Sequence, residues 1–207
     1  MKRFLIILFL IIILIPLILI IDFQINPWEN GSAIFLIRDG IKKHGSKLII
    51  YTDKKFITED FSKLSPYKIS SGVFRDKYKG IAIGVHTDSP FHPIPHEKIF
   101  IYVVYKDKLK PFFRSSKTSG VLEDFNLADF TKDGNTEIIT IEKIHGEINI
   151  NLAMNIGFGF DVEKKIENIE SAEFVGREAI NIRTKDWEKI FKFKELNKMF
   201  KEGDEFK

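Results

Sequence analysis

Lys98-Ile99-Phe100-Ile101-Tyr102-Val103-Val104-Tyr105-Lys106-Asp107-Lys108-Leu109-Lys110-Pro111-Phe112-Phe113-Arg114 is the stretch that decides the fold class. Its first half is almost wholly β-branched and aromatic, the side chains that fit a pleated surface. Lys106-Asp107-Lys108 is polar and short, and Leu109–Arg114 resumes the apolar pattern. Two β-prone runs around so short a break predict a hairpin. The same rhythm continues on both sides. Upstream, strands are expected at Ala33–Ile37, Leu48–Thr52, Lys55–Thr58 (across an Asp53-Lys54 turn), Tyr67–Val73 and Gly80–Val85. Downstream they are expected at Phe125–Phe130, Glu137–Ile141, Glu147–Leu152 and Ile156–Val162. Regular short strands divided by turns predict an all-β domain, built of propeller-blade-like antiparallel sheets or as a sandwich. The 20 phenylalanines in 207 residues lean the same way.

The C-terminal stretch reads two ways. Ala179–Arg183 and Lys189–Phe193 alternate apolar with polar residues about a Lys185-Asp186 turn, which predicts a hairpin. Trp187, Ile190, Phe191, Met199 and Phe200 also fit one face of a helix. The hairpin is favoured, with residues 201–207 a disordered tail.

At the other end, Phe4–Ile21 is an unbroken apolar run behind the positive flank Lys2-Arg3. Eighteen such residues are about long enough to cross a bilayer as a helix. No polar face accompanies the run, so it does not read as a core helix. The exit Ile20-Ile21-Asp22-Phe23 lacks the small residues of a cleavage site, so residues 1–21 read as an uncleaved signal-anchor rather than a signal peptide. Lys2 and Arg3 would stay cytoplasmic, leaving the C-terminal part extracytoplasmic on a single-pass cell-membrane protein. Asn26-Pro27 and Asn30-Gly31 supply turn chemistry for a linker over residues 22–32, ahead of a β domain over residues 33–200.

Of the 32 Lys and Arg, only Lys2 and Arg3 precede Asp22, so the remainder nearly balances the 29 Asp and Glu. A near-neutral domain gives no reason to expect nucleic acid. With no cysteine, disulfides, thiol catalysis and a lipidated cysteine are excluded.

The sharpest local pattern is Asp129-Phe130-Thr131-Lys132-Asp133-Gly134-Asn135-Thr136-Glu137-Ile138-Ile139. Oxygen-bearing side chains at 129, 131, 133, 135 and 137, with Gly134 for a sharp turn, follow the ligand logic of a calcium loop. The competing reading is a turn whose Asp and Thr oxygens bond backbone N–H groups. This stretch resembles the calcium-loop motif of FG-GAP/VCBS repeats, the strand–loop–strand units of integrin-type β-propellers. A weaker copy runs from Gly72 to Val85, with Asp76 as its central acid and Gly72, Phe74 and Gly80 where the family has acids. The resemblance covers roughly residues 67–160, and the chain is also similar to a group of bacterial membrane-anchored proteins built from this repeat pair. It implies calcium at Asp129, Thr131, Asp133, Asn135 and Glu137, no metal in the upstream copy, and blade-like sheets.

His86, His92 and His96 fall in one proline-rich stretch, which raises a zinc reading against that of a stiff surface connection. Phe158-Gly159-Phe160 offers an aromatic platform or, more simply, core packing. The Lys42-Lys43 and Lys106–Lys110 stretches read as solvated faces, with proximity to anionic wall polymers or lipid head groups as the other reading. No acid–base pair or nucleophile motif stands out, so no catalytic residue is assigned. The expectation is a membrane-anchored, non-catalytic extracytoplasmic β-repeat module that binds a protein or an envelope polymer. The alternative is a cell-envelope enzyme or an accessory domain of one.

Overall fold

The computed structural model describes residues 21–27, 32–39, 44–74, 78–89, 92–115, 118–155 and 160–202. Residues 1–20, including nearly all of the apolar run, lie outside the described residues, as do 156–159 and 203–207. Among the described residues no helix is long and apolar enough to cross a membrane.

Among the described residues the protein is all-β, with four small antiparallel sheets, one short α-helix and a single 3-10 turn at Ser62–Leu64. Each sheet is a meander in chain order. The first holds β1 (Ile21–Pro27), β2 (Ala33–Asp39), β3 (Gly45–Thr52) and β4 (Lys55–Asp60). The second holds β5 (Pro66–Phe74), β6 (Tyr78–Ser89), β7 (His92–Tyr105) and β8 (Lys108–Arg114). The third holds β9 (Val121–Ala128), β10 (Glu137–Ile144), β11 (Glu147–Asn155) and β12 (Phe160–Ile169). The last has three strands, β13 (Ser171–Phe174), β14 (Ala179–Arg183) and β15 (Glu188–Lys192), followed by α1 (Phe193–Glu202).

Three of the hairpins close on two-residue turns: Asp53-Lys54, Lys106-Asp107 and His145-Gly146. In each, both turn residues have positive φ. That geometry matches the right-handed twist of paired strands, which is why such short polar breaks fold back directly.

The chain forms two compact units, Met1–Ile69 and Ser70–Lys207. In the first, Ile34 pairs with Ile50 and Leu36 with Leu48, and Ile50 in turn pairs with Ile57. Opposite residues share a face, so this row buries together with Phe61 as the local core. In the second unit, Ile139, Ile141, Ile150, Leu152 and Ile166 form one sheet face. Onto it pack Ile180, Ile182, Phe191, Phe193 and Leu196 from the last sheet and α1.

Several expectations are corrected. Ile21, the end of the expected anchor, opens β1, and residues 22–27 of the expected linker pair with β2. Asn26 and Pro27 are the last two residues of that ladder, opposite Ile34 and Ala33. The histidine-rich connection is mostly strand, because β6 and β7 continue pairing through His86 with Glu97 and Thr87 with His96. Pro93 and Pro95 fall where the register skips, so no ladder N–H is required of them. In the weaker repeat copy, Gly72 and Phe74 belong to β5, and only residues 75–77 separate it from β6. Of the strand expected at 156–162, residues 156–159 lie outside the described residues, and Phe160–Val162 form the start of β12. At the C-terminus the hairpin forms and a helix follows it at once, with Lys201 and Glu202 of the expected tail inside α1.

A candidate metal loop between β9 and β10

The loop is fixed at both ends by the fold. Phe130, apolar in a polar stretch, is 1% exposed and sits in the core with its ring 6.0 Å from that of Phe193. At the other end Thr136 is buried against β5, where its N–H donates to the Val73 carbonyl at 3.0 Å. The Val73 N–H donates in return to Thr136 Oγ1 at 2.8 Å. Gly72 leaves the room this contact needs, since a Cβ there would lie 2.5 Å from Thr136 Cγ2.

Between these pins the chain turns sharply, with Lys132 and Gly134 at φ 64° and 89°. Asp129 folds over the turn, its Oδ1 accepting from the Asp133 N–H at 3.1 Å and its Oδ2 from the Gly134 N–H at 3.3 Å. Asp133 Oδ1 accepts from the Asn135 N–H at 2.8 Å. Glu137, 1% exposed, reaches back from the first residue of β10. Its Oε2 accepts from the N–H groups of Phe130 at 2.6 Å and Thr131 at 3.2 Å, and its Oε1 from the Thr131 hydroxyl at 3.1 Å.

Of the five residues expected to face a cation, three carboxylates are brought together. One oxygen from each of Asp129, Asp133 and Glu137 lies within 4.8 Å of the others. Oxygens sharing one calcium at its usual ligand distances stand at most about 5 Å apart, so the spacing fits a shared ion. The remaining two are placed differently: the Thr131 hydroxyl is tied to Glu137, and Asn135 enters through its backbone N–H. Both readings of the loop therefore meet in one structure. The carboxylates bond the backbone, and Asp129 Oδ1 and Oδ2, Asp133 Oδ1 and Glu137 Oε1, each accepting one bond, keep a lone pair for a cation.

Burial pushes the Glu137 carboxyl up to about 6, although the Thr131 and Phe130 donors pull the other way, and the charge on Asp133 adds to the rise. A desolvated carboxylate beside two more acids is the environment a divalent cation neutralises.

Among the described residues no histidine belongs to a cluster of metal-ligating side chains. His86 Nδ1 meets Glu97 Oε1 at 3.2 Å, and His96 Nδ1 donates to the Ile94 carbonyl at 3.0 Å. Nearby Lys98 is 1% exposed, with Nζ donating to the Asp88 carbonyl at 2.6 Å and burial holding its pKa below the usual lysine range. Sequence reading assigned no role to Phe130 or Thr136, the residues that hold the loop. A lone large aromatic in a run of polar residues was the available signal for the first. The contact of Thr136 with a strand 63 residues away left none.

The chain matches no protein-family model and no curated protein.

Proposed function

We propose that this chain is a membrane-anchored, extracytoplasmic module of blade-like β-meanders that binds a protein or an envelope polymer and performs no chemistry itself. The observation that carries the reading is repetition: three consecutive four-stranded meanders and a fourth of three strands, each running in chain order. Such sheets resemble propeller blades, whose loops serve as binding surfaces on a rigid support. The apolar run at residues 4–21 and its positive flank support the anchor and its orientation.

The cysteine-free chain makes topology simple to test. Val175→Cys introduces a single thiol at a position 41% exposed. In intact cells it should react with a membrane-impermeant maleimide. Labelling only after lysis would place the domain on the cytoplasmic side and sink the reading.

Calcium is the cation we assign to the Asp129–Glu137 loop, with Asp129, Asp133 and Glu137 as the acid ligands and Thr131 and Asn135 as the neutral oxygens beside them. At ten times its dissociation constant, calcium should stabilise the fold by about 1.4 kcal/mol. For a chain of this size that raises the melting temperature by about 3–6 °C. Asp133→Asn should abolish the shift while costing little stability in chelator, since the amide oxygen still accepts the Asn135 N–H. Equal melting temperatures in millimolar calcium and in chelator would leave the loop as a backbone-bonded turn without a metal.

A further inference from the structure

The β7–β8 hairpin differs in charge from the other two tight turns. Residues 105–114 carry Lys106, Lys108, Lys110 and Arg114 against the single acid Asp107, in a protein whose net charge is +3. The β3–β4 turn sets Lys54 and Lys55 against Asp53, Glu59 and Asp60, and the β10–β11 turn sets Lys143 against Glu142 and Glu147. Of these three tight hairpins, only this one carries a clear excess of positive charge at its turn. The charge is also ordered there. Tyr105 and the three lysines are exposed, and the Lys106 and Lys110 ammonium groups lie 5.3 and 4.4 Å from the centre of the Tyr105 ring. Cation–π contacts hold two flexible side chains near each other in advance, which lowers the entropy lost when an anion binds both.

We propose that this hairpin is the docking site for a linear phosphate-bearing polymer, held by Lys106, Lys108 and Lys110. The inference rests on the reading of the domain as a polymer-binding module and names the polymer's chemistry. Lysine ammonium groups recognise phosphate as point charges. Lys108 and Lys110 are two residues apart on β8, so they share a face about 7 Å apart and line up along the strand. A file of cations suits a chain of anions running beside the hairpin. A bilayer approached by the tip would first meet Lys106 and Asp107, whose charges cancel, with Lys108 and Lys110 set behind them along β8.

The test uses the full chain reconstituted into phosphatidylcholine vesicles, with fluorescent long-chain polyphosphate as the probe. The intact protein should bind it with an affinity that falls steeply with salt. Each ammonium facing a polyanion contributes about fivefold. Lys106→Gln/Lys108→Gln/Lys110→Gln should therefore weaken binding by about a hundredfold with an unchanged melting temperature. A control, Lys164→Gln/Lys165→Gln/Lys189→Gln, should change it less than threefold. Equal losses in both variants, or no binding by the intact protein, would overturn the proposal. So would hairpin-dependent clustering with phosphatidylglycerol vesicles in the absence of polyphosphate binding, which would assign the hairpin to a membrane surface. Maleimide labelling at residue 175 reports separately on the anchored, extracytoplasmic reading, so either can fail while the other stands.

Discussion

Glu137→Ala is expected to destabilise the protein by about 2–4 kcal/mol and to lower its melting temperature by roughly 6–12 °C. The carboxylate is 1% exposed and satisfies the Phe130 and Thr131 N–H groups together with the Thr131 hydroxyl. Truncation removes the Glu137 acceptor from the Phe130 N–H, at 2.6 Å the shortest of these bonds, inside the core. It also releases the loop at the residue whose ring fills the core. A loss under 1 kcal/mol in urea titration would show that the loop is held by its flanks alone. The pH dependence follows from the same burial. The carboxyl sits at about 6 against an ordinary 4.5, so the folded state favours its neutral form. Its stabilising contribution is complete below pH 4.5 and is lost as pH rises through about 6. Glu137→Gln removes that titration. The stability of the native chain relative to this variant should fall by about 2 kcal/mol between pH 4.5 and 7.5. A flat difference across that range would mean that water or a cation solvates the carboxylate.

Phe74→Ala should be comparably severe, at about 3–5 kcal/mol. The side chain is fully buried, with its ring 5.5 Å from Phe112 and edge-on to Phe160 at 5.9 Å. Its position depends on Gly80, because a Cβ there would overlap the ring. Gly80→Ala alone should cost about 1–3 kcal/mol through overpacking. Because the two residues touch, the effects should not add. Phe74→Leu combined with Gly80→Ala should be less damaging than the sum of the single changes, with a coupling of about 0.5–3 kcal/mol. Strict additivity in chemical denaturation would show that the aromatic cluster shifts to accommodate the added methyl.

The strand pattern was legible in sequence wherever local chemistry and tertiary pairing agree. The hairpin around Lys106-Asp107 and the strand Ala179–Arg183 form as their alternation predicts. Alternation misleads at Phe193, which continues the period of β15 yet starts α1. There its N–H donates to the Glu178 carbonyl, and the ring joins the core. The reach of β6 and β7 past the histidines was also hidden, since three prolines weaken any strand pattern while leaving room for a skipped register. For the candidate site, sequence supplied the five oxygen-bearing positions, and the fold selected three of them.

By itself the sequence determined the all-β class, because period-two patterning and short polar turns act within a few residues. It also determined the absence of thiol chemistry and the presence of an apolar N-terminal run. The tertiary structure alone decided which side chains share a site. Glu137 becomes a desolvated acceptor because β10 starts beside the buried Phe130. Thr136 locks the loop because β5, distant in sequence, passes within hydrogen-bonding reach. Such contacts join residues whose pairing no local pattern encodes, and only the packed core brings them together.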